Sequence, residues 1–249
     1  MSKSNPDMSK ELSELITEIG ECRSKQQEDK IMKREKIILK ELISKPNVSP
    51  KLKKEYLIRS IYLEMLGHDA SFAYFYAVNL TQDKNILNKR VGYLACALLL
   101  NSESEFYILL VASLQKDLQS DNWLEVYIAL GAIAHFSNSL IIQAVSEPVI
   151  KLMDHKNAQI RKKVAMVLFK FYQVDKNSVP DIENKMKKLL CDYDPAVMAA
   201  TLPYYKEISK ENPEKIKNMI NACLYGFYGR QLHRQQVIPD REEQDRADL

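Results

Sequence analysis

The fold class predicted from this sequence is all-α, a right-handed α-solenoid of HEAT/armadillo-like helical pairs. Three observations carry the prediction. Apolar residues recur at three- and four-residue steps through most of the chain, which is the period of an amphipathic helix. Glycine (6) and proline (9) are scarce among 249 residues, while Leu, Ile, Lys and Glu dominate, a composition that favours helix over β-rich architecture. Equivalent positions also return: Leu87, Leu124, Ile160 and Val197 each open a helix, at steps of 37, 36 and 37 residues. Five residues later stand Gly92, Ala129, Ala165 and Leu202, the first three small enough for neighbouring helices to cross closely. A period in the high thirties with two helices per repeat is the signature of a helical array whose units bury their apolar faces only by stacking.

Residues 1–9 read as a flexible polar start, 10–224 as the solenoid, and 225–249 as a polar, disordered tail. From Lys10, the residues Leu12, Leu15, Ile16 and Ile19 predict the first helix. The charged run after it, RSKQQEDKIMKREKIILKEL, carries an apolar stripe of Ile31, Ile38, Leu39 and Leu42 and ends at the break Lys45–Pro50. A helix over Lys51–Leu66 follows, closed by the turn Leu66-Gly67-His68-Asp69. Gly67 can take the positive φ that ends a helix, and Asp69 can cap the next by accepting a backbone N–H. The aromatic-rich segment SFAYFYAVNL forms that next helix. Phe72, Phe75, Tyr76 and Val78 are spread too widely around it to fill one stripe, which reads first as wide burial between adjacent repeats and, as the alternative, as exposure of some of them to a partner. The polar turn Thr81–Asn85 leads to NILNKRVGYLACALLL. Further helices are predicted over Ser104–Leu118, Asn122–Phe136, Leu140–Met153, Ala158–Val174, Val179–Leu190, Pro195–Ser209 and Pro213–Leu224. Asn122, Asn157, Asp194 and Asn212 stand at the cap positions of four of them.

Chemistry is hard to find in this pattern. The six glycines are isolated, so no loop cradles a phosphate, and neither a nucleophile elbow nor a HExxH pair is present. His68, His135, His155 and His233 are scattered, and Cys22, Cys96, Cys191 and Cys223 lack metal-ligand spacing, so no cofactor and no metal is expected. The cysteines read as reduced thiols of a cytosolic protein. Thirty-six basic against 33 acidic residues give no reason to expect nucleic acid as a partner. The polar N-terminus predicts no signal peptide. The longest apolar run, Tyr93–Leu100, falls far short of the roughly 20 residues of a membrane span, so any membrane association is peripheral. What remains is surface. Lys51, Lys53 and Lys54, with Arg59 one turn further on, gather charge at a helix start, which reads first as a solvated face and, as the alternative, as a candidate contact for phosphoinositide headgroups or acidic peptides. Arg161, Lys162 and Lys163 form a second basic cluster, read as structural. The expectation is a binding protein and not an enzyme.

The runs YLEMLGHDASFAYFYAVNL, NILNKRVGYLACALLL and LVASLQKDLQSDNWLEVYIAL, continued by RKKVAMVLFKF and LCDYDPAVMAA, resemble the N-terminal trunk of the large adaptins of vesicle-coat adaptor complexes, and most of all the epsilon type of the fourth complex. The likeness extends over roughly Leu12 to Asn221. It implies one large subunit of a complex that holds a beta-type large, a medium (mu) and a small (sigma) subunit. It implies cargo sorting in vesicle-mediated protein transport by a coat on trans-Golgi network membranes, recruited from the cytoplasm by an Arf-family GTPase. By the same resemblance, Phe75, Val78 and Leu109 match GTPase-contact positions of gamma-type relatives, and Lys53-Lys54-Glu55 aligns with a phosphoinositide-binding lysine triplet of alpha-type ones. Full-length members continue through a longer trunk, a hinge and an appendage. Without the resemblance, the residues would be compatible with a generic HEAT-repeat interaction scaffold, as in nuclear transport or phosphatase assembly.

Overall fold

The computed structural model describes residues 9–100, 105–136, 138–211 and 213. Among them there is helix and no strand, and the chain divides into two compact units, the first ending at Val145 and the second starting at Ser146.

The first unit begins with α1 (Lys10–Gly20) and α2 (Lys25–Ser44), capped by the hydroxyls of Ser9 and Ser24, and α3 (Pro50–Met65), capped by Ser49 with Pro50 at its first position. Proline is suited to that place because its missing N–H would have had no helical acceptor. Gly67 takes φ +85° and closes α3 as predicted, and Asp69 Oδ1 accepts the Ser71 N–H at 3.1 Å in a turn ahead of the next helix, whose own start has no side-chain cap. A 3-10 turn over Ser71–Ala73 then feeds α4 (Tyr74–Thr81), which packs most extensively on α5 (Ile86–Leu99). The next pair is α6 (Phe106–Leu118) and α7 (Trp123–His135). Contacts of α3 with α5, α5 with α7, and α4 with α6 make two layers of helices within this unit. Leu57, Leu63, Leu110, Leu114, Leu130, Ile133 and Ile141 are fully buried in it.

α8 (Ser139–Lys151) contains the junction between the units. In the second unit, a 3-10 turn over Leu152–Asp154 precedes α9 (Ala158–Val174), α10 (Ile182–Leu190) and α11 (Pro195–Glu211). α9 and α11 form its main contact around Val164, Leu168, Phe171 and Tyr204. α10 starts later than the predicted Val179, because Asp181 in the left-handed region (φ 53°) breaks the helix before Ile182.

The repeat is expressed through backbone hydrogen bonding. Asn85, Asn122, Asn157 and Asp194 each accept the N–H two residues on, at 2.8–3.1 Å, and open α5, α7, α9 and α11. Each of these four residues also donates its own N–H to the side chain two residues before it: Asp83, Ser120, His155 and Asp192. Such double turns satisfy helix-start N–H groups that the helix cannot reach itself. The caps are spaced 37, 35 and 37 residues apart, which corrects the predicted register. Leu87 and Leu124 stand two residues after their caps and are 61% and 37% exposed, whereas Ile160 and Val197 stand three after theirs and are buried. The positions equivalent to Gly92 and Ala129 are therefore Val164 and Thr201, and Leu202 faces solvent. The stripe of α2 is corrected likewise. Its buried face is Met32, Glu35, Leu39 and Ile43, while Ile38 is exposed. Glu35 can occupy that face because Arg59 of α3 donates Nε–H to it at 2.7 Å.

Gly92 is where a small residue is required. A Cβ there would lie 2.6 Å from the Thr81 nitrogen and 2.7 Å from the Leu80 carbonyl carbon, both backbone atoms of α4. No helix among the described residues is long and apolar enough to cross a membrane. The predicted helix from Pro213 to Leu224 and the tail 225–249 lie outside the described residues, apart from Pro213.

Candidate partner-binding surface

The surface of interest lies on α4 and α6 of the first unit, and the packing of α4 decides which of its side chains reach solvent. Hemmed by α3, α5 and α6, the α4 region leaves out a strip of one residue per turn: Ser71, Phe75 and Asn79. Ala77, Val78, Leu80 and Thr81 turn inward. Phe75 is 49% exposed and Val78 only 2%. Val78 is thus a core residue, and its expected role as a direct GTPase contact is corrected: it supports the surface from below.

Phe75 is not isolated. Its ring sits edge-on to Tyr76 at 5.5 Å and 6.4 Å from Phe106 at the start of α6. Leu109, one turn along α6 from Phe106, is 47% exposed, and Ile108 beside it is 78% exposed. Of the three contacts read from the resemblance, Phe75 and Leu109 are thus exposed, and half-buried Phe106 joins them through its ring contact with Phe75. Phe106 and Ile108 were missed, although the run Phe106-Tyr107-Ile108-Leu109-Leu110 is wider than one buried stripe needs, and that width was the available signal. Exposed apolar side chains in contact across two helices, as Phe75 and Phe106 are, mark interaction sites more than single exposed residues do.

Lys51, Lys53 and Lys54 occupy the first turn of α3, at the end of that helix away from Gly67. Lys51 is exposed, while Lys53 and Lys54 are half-buried. Having no acidic residue in that first turn, they place positive charge at a helix start, where the helix dipole gives it no help.

Beneath the surface, buried ion pairs bind successive helices. Lys89 is 4% exposed, and its ammonium donates to Asp117 Oδ1 at 2.7 Å and lies 3.1 Å from Glu125 Oε1. The Tyr93 hydroxyl donates to the other Asp117 oxygen at 2.7 Å. Burial opposes the charge on Lys89, but the two carboxylates outweigh it and hold its pKa above the ordinary lysine value. A hydrogen bond from Ser120, aided by Lys89, holds the Glu125 carboxyl below its usual range. Burial and the Asp117 charge push the Tyr93 hydroxyl far up, so it remains a donor. This network ties α5 to α6 and α7.

In the second unit, Arg161 takes the place of Lys89, four residues after its cap. It is 4% exposed and grips Asp192 through Nε at 2.7 Å and Nη2 at 2.9 Å, while Nη1 donates to the carbonyls of His155 and Lys156. The Tyr193 ring covers the guanidinium at 4.4 Å. An open cleft here, lined by Met153, His155, Arg161, Lys188 and Asp192, therefore has its buried cation already engaged, in keeping with the structural role predicted for this cluster. Among the described residues, no group of three or more His, Cys, Asp or Glu is placed to hold a metal ion.

Known proteins resemble this chain in sequence and in fold. The chain is 44% identical over 216 residues to the AP-4 complex subunit epsilon of Arabidopsis thaliana, covering 87% of this chain and 23% of that protein. It is 40% identical over 216 residues to the AP-4 complex subunit epsilon-1 of Homo sapiens, covering 87% and 19%. The chain thus spans about a fifth of the length of these curated relatives. Among solved structures, one described as a homology model of the full-length AP-3 complex in an intermediate open conformation matches with a TM-score of 0.61 and 26% identity, over 72% of this chain and 31% of that one. The family description Adaptin N terminal region matches residues 31–230. That match takes in most of the chain, which therefore belongs to the adaptin N-terminal family.

Proposed function

We propose that this chain is the N-terminal trunk part of an epsilon-type large subunit of a vesicle-coat adaptor complex, acting as a helical scaffold in intracellular protein transport. The observation that carries the reading is the 40–44% identity to AP-4 epsilon subunits over most of the chain, on a fold of stacked helical pairs. In this reading the trunk runs over residues 10–224 and the polar tail follows it. The trunk binds a beta-type large subunit and sigma- and mu-type subunits, and it sits peripherally on trans-Golgi network membranes.

Recruitment is assigned to the α4–α6 surface. Phe75 and Leu109, with Phe106 and Ile108, offer an apolar platform to the switch region of a GTP-bound Arf-type GTPase. Lys51, Lys53 and Lys54 supply charge for anionic headgroups. The test is a pull-down of tagged chain with GTP- and GDP-loaded Arf. Binding that depends on GTP and falls at least tenfold in Phe75→Glu and in Leu109→Glu, at unchanged helicity, supports the assignment. Unchanged binding in both variants removes it.

A further inference from the structure

Helix α8 carries a proline, Pro148, inside its length. Proline has no N–H, so the carbonyl of Ala144, four residues earlier, loses the donor that an unbroken helix would supply. Such a carbonyl commonly turns out to water and the helix bends. Here the carbonyl keeps a donor. The side-chain amide of Gln115, on the neighbouring α6, donates to the Ala144 oxygen at 2.8 Å. Apolar residues anchor α8 on both sides of the break, with Ile141, Ile142 and Val145 before it and Val149 after it all buried. In sequence, the first compact unit ends at Val145, one residue after the bridged carbonyl.

We infer that α8 is a latched hinge: Pro148 makes the helix bendable at residues 144–148, and the Gln115 amide restrains it by replacing the missing backbone donor. Three features coincide at this point, and a packing role alone would require none of them together. They are a helix interrupted within its length, a donor from another helix aimed at the one carbonyl the interruption frees, and the division of the chain at the next residue. Release of the amide would leave the Ala144 carbonyl needing water, and the helix opens where water can enter. The inference goes beyond the adaptor reading and stands or falls separately from it.

The test is a double-mutant cycle read by amide hydrogen exchange on the full chain, with peptides covering α6, α8 and α9. Gln115→Met keeps the shape and removes the donor. It is expected to speed exchange in α8 about five- to tenfold, the loss of one intramolecular hydrogen bond, while α9 peptides change less than about twofold. Pro148→Ala restores a backbone N–H to the Ala144 carbonyl and should slow α8 exchange below the native rate. Adding Gln115→Met to Pro148→Ala should then have no effect on α8, because the carbonyl no longer depends on Gln115. Equal acceleration by Gln115→Met in both backgrounds would show that Gln115 only packs and would overturn the latch, as would no acceleration in the native background. Pro148→Ala removes the only break in α8 and gives an independent reading should Gln115→Met lower protection throughout α6. Failure of Pro148→Ala to slow α8 exchange would by itself refute the hinge.

Discussion

Replacing Lys89 by Met should be among the most damaging changes in the first unit, even though Met keeps the length and improves the hydrophobicity of a buried site. Lys89 and Asp117 are 4% and 3% exposed, and their 2.7 Å contact is the main answer to the charge that Asp117 carries into the core. In Lys89→Met, Asp117 keeps only the Tyr93 hydroxyl, and Glu125 loses its cation as well. Leaving one member of a buried pair without its partner costs about 3–5 kcal/mol. For a chain of this size, that is a fall in melting temperature of about 6–20 °C. Urea unfolding followed by far-ultraviolet circular dichroism measures it. The paired change Lys89→Met with Asp117→Leu removes both charges and should recover most of the loss. About 1 kcal/mol would remain, because the Tyr93 hydroxyl then lacks its acceptor. The contribution of the Lys89 charge does not change with pH over the ordinary range. The Lys89 pKa is raised, so its contribution is full below the unfolded lysine value of about 10 and is lost only as pH climbs through the folded value. A loss below about 1 kcal/mol in Lys89→Met, or a paired variant as unstable as the sum of the two single changes, would refute the claim that this network holds α5 to α6 and α7.

Gly92→Ala sets two effects against each other. Alanine gains up to about 1 kcal/mol of helix propensity, but its methyl meets α4 backbone at 2.6 Å, and overpacking costs about 1–3 kcal/mol. The net result expected from urea melts is destabilisation, and a more stable variant would show that α4 can shift. In acid, burial disfavours the Asp192 charge, but Arg161 outweighs it and holds the carboxyl below its ordinary range, while the Lys36 ammonium does the same for exposed Asp69. Both contributions are therefore present above the unfolded value of about 4 and lost as pH falls through the lower folded values. Asp192→Asn should flatten stability against pH between about 5 and 2 and cost about 3–5 kcal/mol at neutral pH, since Arg161 stays buried without its anion. Leu114→Ala empties a site that is fully buried and should cost about 2–5 kcal/mol. Val78→Ala should lower stability by about 1–3 kcal/mol while leaving GTPase binding by the folded fraction intact, the reverse of Phe75→Glu.

Helix existence, order and most boundaries were legible because apolar periodicity and Asn, Asp and Ser caps are local signals. Rotation about a helix axis was less so. The predicted stripe of α2 chose Ile31, Ile38 and Leu42 over Met32 and Ile43, since the run is apolar on more than one side and the face that packs is fixed by Glu35, whose burial depends on Arg59 24 positions away. The repeat slipped by one between Leu124 and Ile160 for a similar reason: the conserved geometry is the cap hydrogen bond, not the first apolar residue after it. The same limit governs the surface. Phe75 and Leu109 are exposed as a contact requires, whereas Val78, only three residues from Phe75, is buried because α4 is flanked on three sides. Nothing in a single helix's pattern records how many neighbours it has. The Gln115–Ala144 bridge was illegible for the same reason, since it joins residues 29 apart through one side-chain amide.

The central claim is that this chain is a trunk of an adaptor large subunit, and affinity purification of the tagged full chain from cells, followed by mass spectrometry and sizing, tests it most directly. The account predicts co-purification with a beta-type large subunit and a sigma-type small subunit in a single complex. A chain recovered alone and monomeric would contradict it.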